Sequence, residues 1–184
     1  MSTEYEKMTR GEVYNAGSPE IMKMLDECKD ACWEYNNIRP SMVKERNQKL
    51  HEILGACDAD TVINQPFFCD YGKHIKVGKC FFANFNLVVL DEACVTFGDN
   101  CFIGPNVSIY TACHSTIPEE RNTCQEWARP VTVGNSCWIG GNVTILPGVT
   151  IGDNVTIGAG SVVVKDIPSN SIAIGNPAQV VKKK

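Results

Sequence analysis

The sequence predicts a mainly β chain wound as a parallel β-helix of hexapeptide repeats, with a helical N-terminal segment over residues 1–60 and one protruding loop over 110–132. Three observations carry this. An aliphatic residue recurs every six positions over most of residues 62–166, helical periodicity is confined to the stretch before residue 60, and the six-residue rhythm breaks on a large scale once, between Ile109 and Val133. The repeat unit is expected over 61–184, ending in a lysine-rich tail.

The first strong helix signal begins at Ser18. Its hydroxyl is placed to cap, Pro19 falls in the first turn where a missing N–H costs nothing, and Ile21, Leu25, Cys28 and Cys32 recur at spacings of 4, 3 and 4. A second helix is expected from Ser41 as cap to Gly55 as stop, with Val43, Leu50 and Leu54 on one side.

Beyond residue 60 the period changes. Val133, Ile139, Ile145, Ile151, Ile157 and Val163 stand six apart, and glycine follows four of them, at 134, 140, 152 and 158. Two residues before five of these come Cys137, Val143, Val149, Val155 and Ser161. Upstream the pattern returns as Phe97, Ile103 and Ile109, preceded by Val95, Cys101 and Val107, and more weakly as Val77, Ala83 and Val89, preceded by Ile75, Phe81 and Leu87. Six residues suit a short strand plus a corner, so three repeats close one triangular coil. One residue per edge is expected to fill the axis. Steps such as Gly98-Asp99-Asn100 and Gly152-Asp153-Asn154 supply corners that tolerate left-handed backbone angles. A sandwich of short strands would instead show turns every roughly 8–12 residues.

The 23 residues YTACHSTIPEERNTCQEWARPVT between Ile109 and Val133 must project from such a coil. Excluded loops of that size in a compact domain are usually functional or disordered, which makes this one, with His114 near its start, the expected active edge.

Composition removes several classes of function. A net charge of −4, with 43% apolar and 21% charged residues, gives no electrostatic footprint for nucleic acid, and no apolar run approaches the ~20 residues of a membrane span. The start MSTEYEKMTRGEVY lacks the basic end and apolar stretch of a secretory signal, so a cytoplasmic protein is expected. Ten cysteines in 184 residues fall below the ~8–10% of a disulfide scaffold. Cys28 and Cys32 form an i,i+4 pair with no matched second pair, so no metal site is expected and the thiols are read mainly as small hydrophobes.

The segment WIGGNVTILPGVTIGDNVTIGAGSVVVKDIPSNSIAIGNP resembles the hexapeptide-repeat acetyltransferases. With TRGEVYNAGSPE, FFCDYGKHIKVGKCFFANFN and YTACH, the chain resembles the bacterial maltose and galactoside O-acetyltransferases along almost its whole length. The resemblance implies left-handed winding, a homotrimer with an active site at each subunit interface, acetyl-CoA as donor and a sugar hydroxyl as acceptor. It places His114 at the family's catalytic position. Acetyl transfer to an alcohol needs a base to take the hydroxyl proton, and a side chain titrating near neutrality can return it to the departing thiolate. His51 and His74 have no such context. Cys113 beside His114 suggests an acetyl-enzyme, but neighbouring residues in a strand face opposite ways, so direct transfer is preferred.

By the same resemblance, Glu126 orients the imidazole, with a solvated loop carboxylate as the alternative, and Asn84 in ANFN donates to the oxyanion while touching acetyl group and sugar. Asp70 and Glu92 match acceptor-binding positions, with solvated corner residues as the alternative. The family's sugar-contacting aspartate aligns near Asn15 or Ala16, so that contact is altered or absent here. Tyr14, Tyr71, Phe85, Trp127 and Trp138 are the aromatic candidates for the acceptor pocket, Trp138 the strongest because WIGG is a motif position. For the coenzyme, Gly141, Ala159, Val164 and Lys165 match bordering positions along with Asn84 and Trp138. Lys182 replaces an arginine that meets phosphate, and Gln179 replaces a second, which predicts a weaker hold on the nucleotide end.

Three other readings compete with a sugar O-acetyltransferase. Transfer to an antibiotic or amino sugar uses similar coils with a different acceptor pocket. A catalytically silent β-helix binding module is possible because fold does not dictate activity. A zinc hydratase needs about three histidines per metal, and the contexts of the chain's three do not resemble that site.

Overall fold

In the computed structural model, which describes residues 2–184, the repeats wind into a three-sided parallel β-helix closed at one end by helices and at the other by a hairpin. The first coil runs Val62–Ile63, Phe67–Cys69 and Ile75–Val77, one strand on each of three faces. Later strands stack on these in parallel register: Ile103, Ile139 and Ile157 on the first face, Val89, Ile109, Ile145 and Val163 on the second, Val77, Phe97, Val133 and Ile151 on the third.

Two residues per edge point inward rather than one. Val155 and Ile157 are both buried, as are Val149 and Ile151, because a short strand between two corners turns both of its alternate positions to the axis. Ser161 joins this interior by satisfying its hydroxyl: it donates to the Gly158 carbonyl at 2.6 Å and accepts from the Gly175 N–H at 3.0 Å. Division of labour at the corners also differs from simple expectation. In Gly98-Asp99-Asn100 it is Asn100 that takes the left-handed conformation, at φ +57°. Gly98 is required by close approach, since a Cβ there would lie 2.5 Å from Asn135 Oδ1 of the next coil.

Helix α1 spans Glu4–Thr9, which the reading from residue 18 onward passed over. Thr3 and Glu6 form a reciprocal capping box, with Glu6 N–H donating to Thr3 Oγ1 at 3.1 Å and Thr3 N–H to Glu6 Oε2 at 3.0 Å. Helix α2, Pro19–Asn37, is capped by Ser18 as expected. Helix α3, Val43–Ile53, starts one residue later than expected: Met42 holds the N-cap position without a side-chain hydrogen bond, so Ser41 caps nothing. Together these helices cover the open first coil. The Asn36 side chain donates to Phe67 O at 2.9 Å and accepts from Phe67 N–H at 2.8 Å, taking the place of a neighbouring strand at an exposed edge.

The chain end is not a free tail. Ser171–Gly175 and Ala178–Lys183 pair antiparallel, and the first of them continues the first face beyond Thr156–Ile157. Among the described residues, no helix is long and apolar enough to cross a membrane.

Candidate active site

The excluded segment is an ordered arm. Strands Ala112–His114 and Gln125–Ala128 pair antiparallel, with the short helix α4, Pro118–Arg121, between them. A third strand, Tyr14–Asn15, comes from the N-terminal segment and lies along the other edge of Gln125–Ala128. Register sets the chemistry: Tyr14, Glu126 and His114 are directly opposite one another across the three strands.

Glu126 is the buried centre of this row. The Tyr14 hydroxyl donates to its Oε1, and its Oε2 stands 3.4 Å from His114 Nε2, at the outer edge of hydrogen-bond reach. Burial and the adjoining carboxylate push the Tyr14 hydroxyl far above its ordinary pKa, so it stays a donor. The His114 side chain is 55% exposed against 10% for Glu126, so the imidazole looks outward from a fixed carboxylate. Cys113 pairs across the arm with Trp127, on the opposite side from this row, and burial raises its thiol pKa. Neither Cys113 nor Trp127 lines the cavity that His114 faces.

That cavity has a volume of about 480 Å³ and lies where the second face turns into the third. Asp70, Tyr71, Glu92, His114 and Glu126 line it, so five of the sequence-derived candidates meet there. Tyr14 stands behind Glu126 rather than in the cavity, and the Asn15 side chain accepts from Gly17 N–H at 2.9 Å in a local turn. Ala16, Gly17 and Arg121 also line the cavity; sequence reasoning named Ala16 and missed Gly17 and Arg121. Only the antiparallel return of the arm brings Arg121 there.

The corner is rich in carboxyl groups that resist ionising. Glu92 is raised to about 9, first by burial and then by the Asp70 carboxylate beside it, and Thr111 Oγ1 lies 3.2 Å from its Oε2. Asp91, which the sequence reading passed over, is raised to about 7, mainly by burial. Its Oδ1 accepts from the Asp70 and Tyr71 N–H groups at 3.0 and 2.9 Å, and its buried Oδ2 has no partner among the described residues. Glu92 is therefore a neutral carboxylic acid at neutral pH, able to donate as well as accept.

These shifts fix a dependence of stability on pH. Both carboxyls bind protons more tightly in the folded chain than at their ordinary values of 3.8 and 4.5, so the unfolded state gains as pH rises through that window. Folding stability should fall from about pH 4 towards pH 9, and Glu92→Gln should remove a slope of up to ~1.4 kcal/mol per pH unit between its ordinary value of 4.5 and its raised value of about 9. Urea unfolding of both proteins across that range checks this; a wild-type curve without decline contradicts it.

The remaining candidates lie elsewhere in the chain. Asn84, Trp138, Gly141 and Ala159 line a groove of about 450 Å³ on the first face and its corner with the second. Phe85 is exposed at that corner. Val164 and Lys165 follow the last second-face strand, Val162–Val163, at the same corner as Glu92 but several coils further along. Lys182 is exposed on the terminal hairpin. The His114 corner and the Asn84 corner are separated by the strand Leu87–Leu90, on the order of 13 Å at ~3.3 Å per residue. Within one chain the two groups of residues do not meet.

The three histidines occupy separate environments. His74 is buried beside the rings of Tyr5 and Tyr71, and His51 contacts Cys57 at 3.2 Å, so they build no three-histidine metal centre with His114.

Residues 7–58 match the maltose acetyltransferase hexapeptide capping motif, and residues 130–165 match the bacterial transferase hexapeptide model of six repeats. A putative acetyltransferase of Saccharomyces cerevisiae is 48% identical over 179 residues, covering 97% of this chain and 91% of that protein. A maltose O-acetyltransferase from Clostridium difficile 630 superposes with a TM-score of 0.97 at 44% identity, covering 99% of this chain and 97% of the other. A galactoside acetyltransferase in complex with coenzyme A superposes at 0.94 with 36% identity, covering 100% and 92%. The chain belongs to the maltose and galactoside O-acetyltransferase family of hexapeptide-repeat proteins, and it is an acyltransferase.

Proposed function

We propose that this protein O-acetylates a sugar hydroxyl with acetyl-CoA, using His114 as general base, and that the observation carrying this reading is the Tyr14–Glu126–His114 row at the mouth of the Asp70–Glu92 cavity. Donor choice draws on the coenzyme A complex of the galactoside acetyltransferase and on the acetyl-CoA complex of a Vibrio cholerae relative 34% identical. A proton on Nε2, shared with Glu126, leaves the Nδ1 lone pair to accept the acceptor's hydroxyl proton. As that proton leaves, the alcohol oxygen forms a bond to the thioester carbonyl carbon. The C–S bond then breaks, and the imidazolium returns the proton to the coenzyme thiolate. Glu126 stabilises the imidazolium, and Tyr14 holds Glu126.

The Asp70 side chain and the Glu92 carboxyl, which burial favours in its neutral form, suit a ligand whose hydroxyls both donate and accept. Asn84 is read as the oxyanion donor, which requires the first-face corner of one subunit to meet the His114 corner of the next. A homotrimer with sites between subunits satisfies that requirement. Acetyl transfer of this kind proceeds without a metal.

The test is release of free CoA from acetyl-CoA against a panel of maltose, glucose, galactosides, amino sugars and aminoglycoside antibiotics. A sugar-dependent rate supports the reading; a response to amines alone favours the amino-sugar or antibiotic reading, and no response to any sugar overturns it. A covalent route through Cys113 is tested separately. Cys113→Ser is expected to keep turnover within about threefold, whereas an obligatory acetyl-cysteine would cost orders of magnitude.

A further inference from the structure

Three of the ten cysteines meet at one point. Cys28 and Cys32 lie one turn apart on the buried side of α2, and Cys69 ends the strand Phe67–Cys69 of the first coil. The Cys69 sulfur is 3.6 Å from that of Cys28 and 3.6 Å from that of Cys32, and all three sulfurs lie within 4.8 Å of one another. All three are free thiols. Sequence spacing shows only the helical pair; the third sulfur arrives through tertiary packing of α2 on the coil.

The separation matches coordination. Three thiolates on one tetrahedral ion at the ~2.3 Å zinc–sulfur distance stand about 3.8 Å apart. Cys32 and Cys69 also form part of the wall of an apolar cavity of about 490 Å³, which leaves room for a fourth ligand from solvent. Lys29 lines the same cavity and brings a positive charge.

We propose that Cys28, Cys32 and Cys69 form a binding site for one thiophilic divalent cation of the zinc class, which pins α2 to the first coil. Binding breaks three S–H bonds, forms three sulfur–metal bonds and releases three protons to solvent, leaving one net negative charge at the wall of the cavity that Lys29 also lines. Because one ligand comes from the coil and two from the helix, the ion binds the docked segment in preference to the detached one, and so stabilises docking. The three sulfurs are not part of the His114 row, although Lys29 and Asp70 line both this cavity and the one that His114 faces, and the proposed acetyl transfer uses none of the three thiols.

The probe is cadmium added to the fully reduced, full-length protein, whose thiolate-to-cadmium charge-transfer absorption reports sulfur ligation. Absorption should saturate at one equivalent, and the bound protein should melt at a higher temperature. Cys69→Ser should weaken cadmium binding by more than ~100-fold, beyond the usual loss for a group outside the coordination sphere, while the exposed-site change Cys94→Ser should leave it unaltered. Peptide mapping after alkylation gives a readout that needs no variant: cadmium should protect Cys28, Cys32 and Cys69 together. No band at one equivalent, a melting temperature unmoved by cadmium, a full band in folded Cys69→Ser, or protection confined to other cysteines would each overturn the proposal. Since no arm reads acetyl transfer, failure here leaves the catalytic reading untouched.

Discussion

Replacing His114 with alanine is expected to lower kcat/KM for acetyl transfer by at least ~10²-fold while leaving the fold intact, because that is roughly what general-base catalysis contributes. The two halves of this expectation rest on different observations. His114 ends a strand of the projecting arm and is exposed, so its removal takes nothing from the axis of the coil. Its ring faces a cavity lined by the Asp70 and Glu92 carboxyl groups and has Glu126 within reach, so under the proposed mechanism its removal takes the base from the hydroxyl. Glu126→Gln should act on the same step more weakly, lowering kcat with little change in KM for acetyl-CoA, since it acts through the imidazole. Steady-state CoA release, with circular dichroism as the fold control, checks both. Turnover retained in His114→Ala would remove the base assignment and leave binding and orientation as the sources of rate.

Why the coil was legible in the sequence while half of the site was not is a matter of range. A hexapeptide edge repeats the same local problem, burying two alternate side chains and turning a corner, so its solution recurs in the residue pattern from Ile75 to Val163. Even there the count of inward residues needed the structure, because a six-residue period fixes a rhythm without saying how many positions of it are buried. Helix α1 carried a local signal, Thr3 and Glu6 in a capping box, that was simply passed over. The arm is different in kind. Tyr14 meets Glu126 across 112 positions of sequence through two short antiparallel pairings, and no local propensity announces such a partner. The same holds for Cys69, brought to Cys28 across 41 positions, and for Asp91 and Glu92, whose raised pKa values come from burial at a corner rather than from neighbours in sequence. The cavity-lining candidates drawn from family resemblance fell into two separate cavities, which motivates a test of assembly.

If the proposed cyclic trimer forms, co-expressing His114→Ala and Asn84→Ala chains is expected to restore activity that neither variant has alone, to about one quarter of the wild-type value for random mixing. The figure follows from connectivity. If each site takes His114 from one chain and Asn84 from the next, every mixed trimer holds one site in which both residues are intact. With equal amounts about three quarters of trimers are mixed, and one site in three of those is whole. Geometry motivates the expectation: Asn84 and His114 stand at different corners of the prism, in cavities that share no lining residue. Folding cannot bring them together without unwinding the second face, whose parallel ladder runs through Val88 and Ser108 between the corners. A site assembled within one chain would recover nothing on mixing, because every site would carry one of the two lesions. Separately purified variants, mixed after folding, give the control: recovery should then be slow or absent if trimers exchange subunits slowly, and should rise to the co-expressed value after joint refolding.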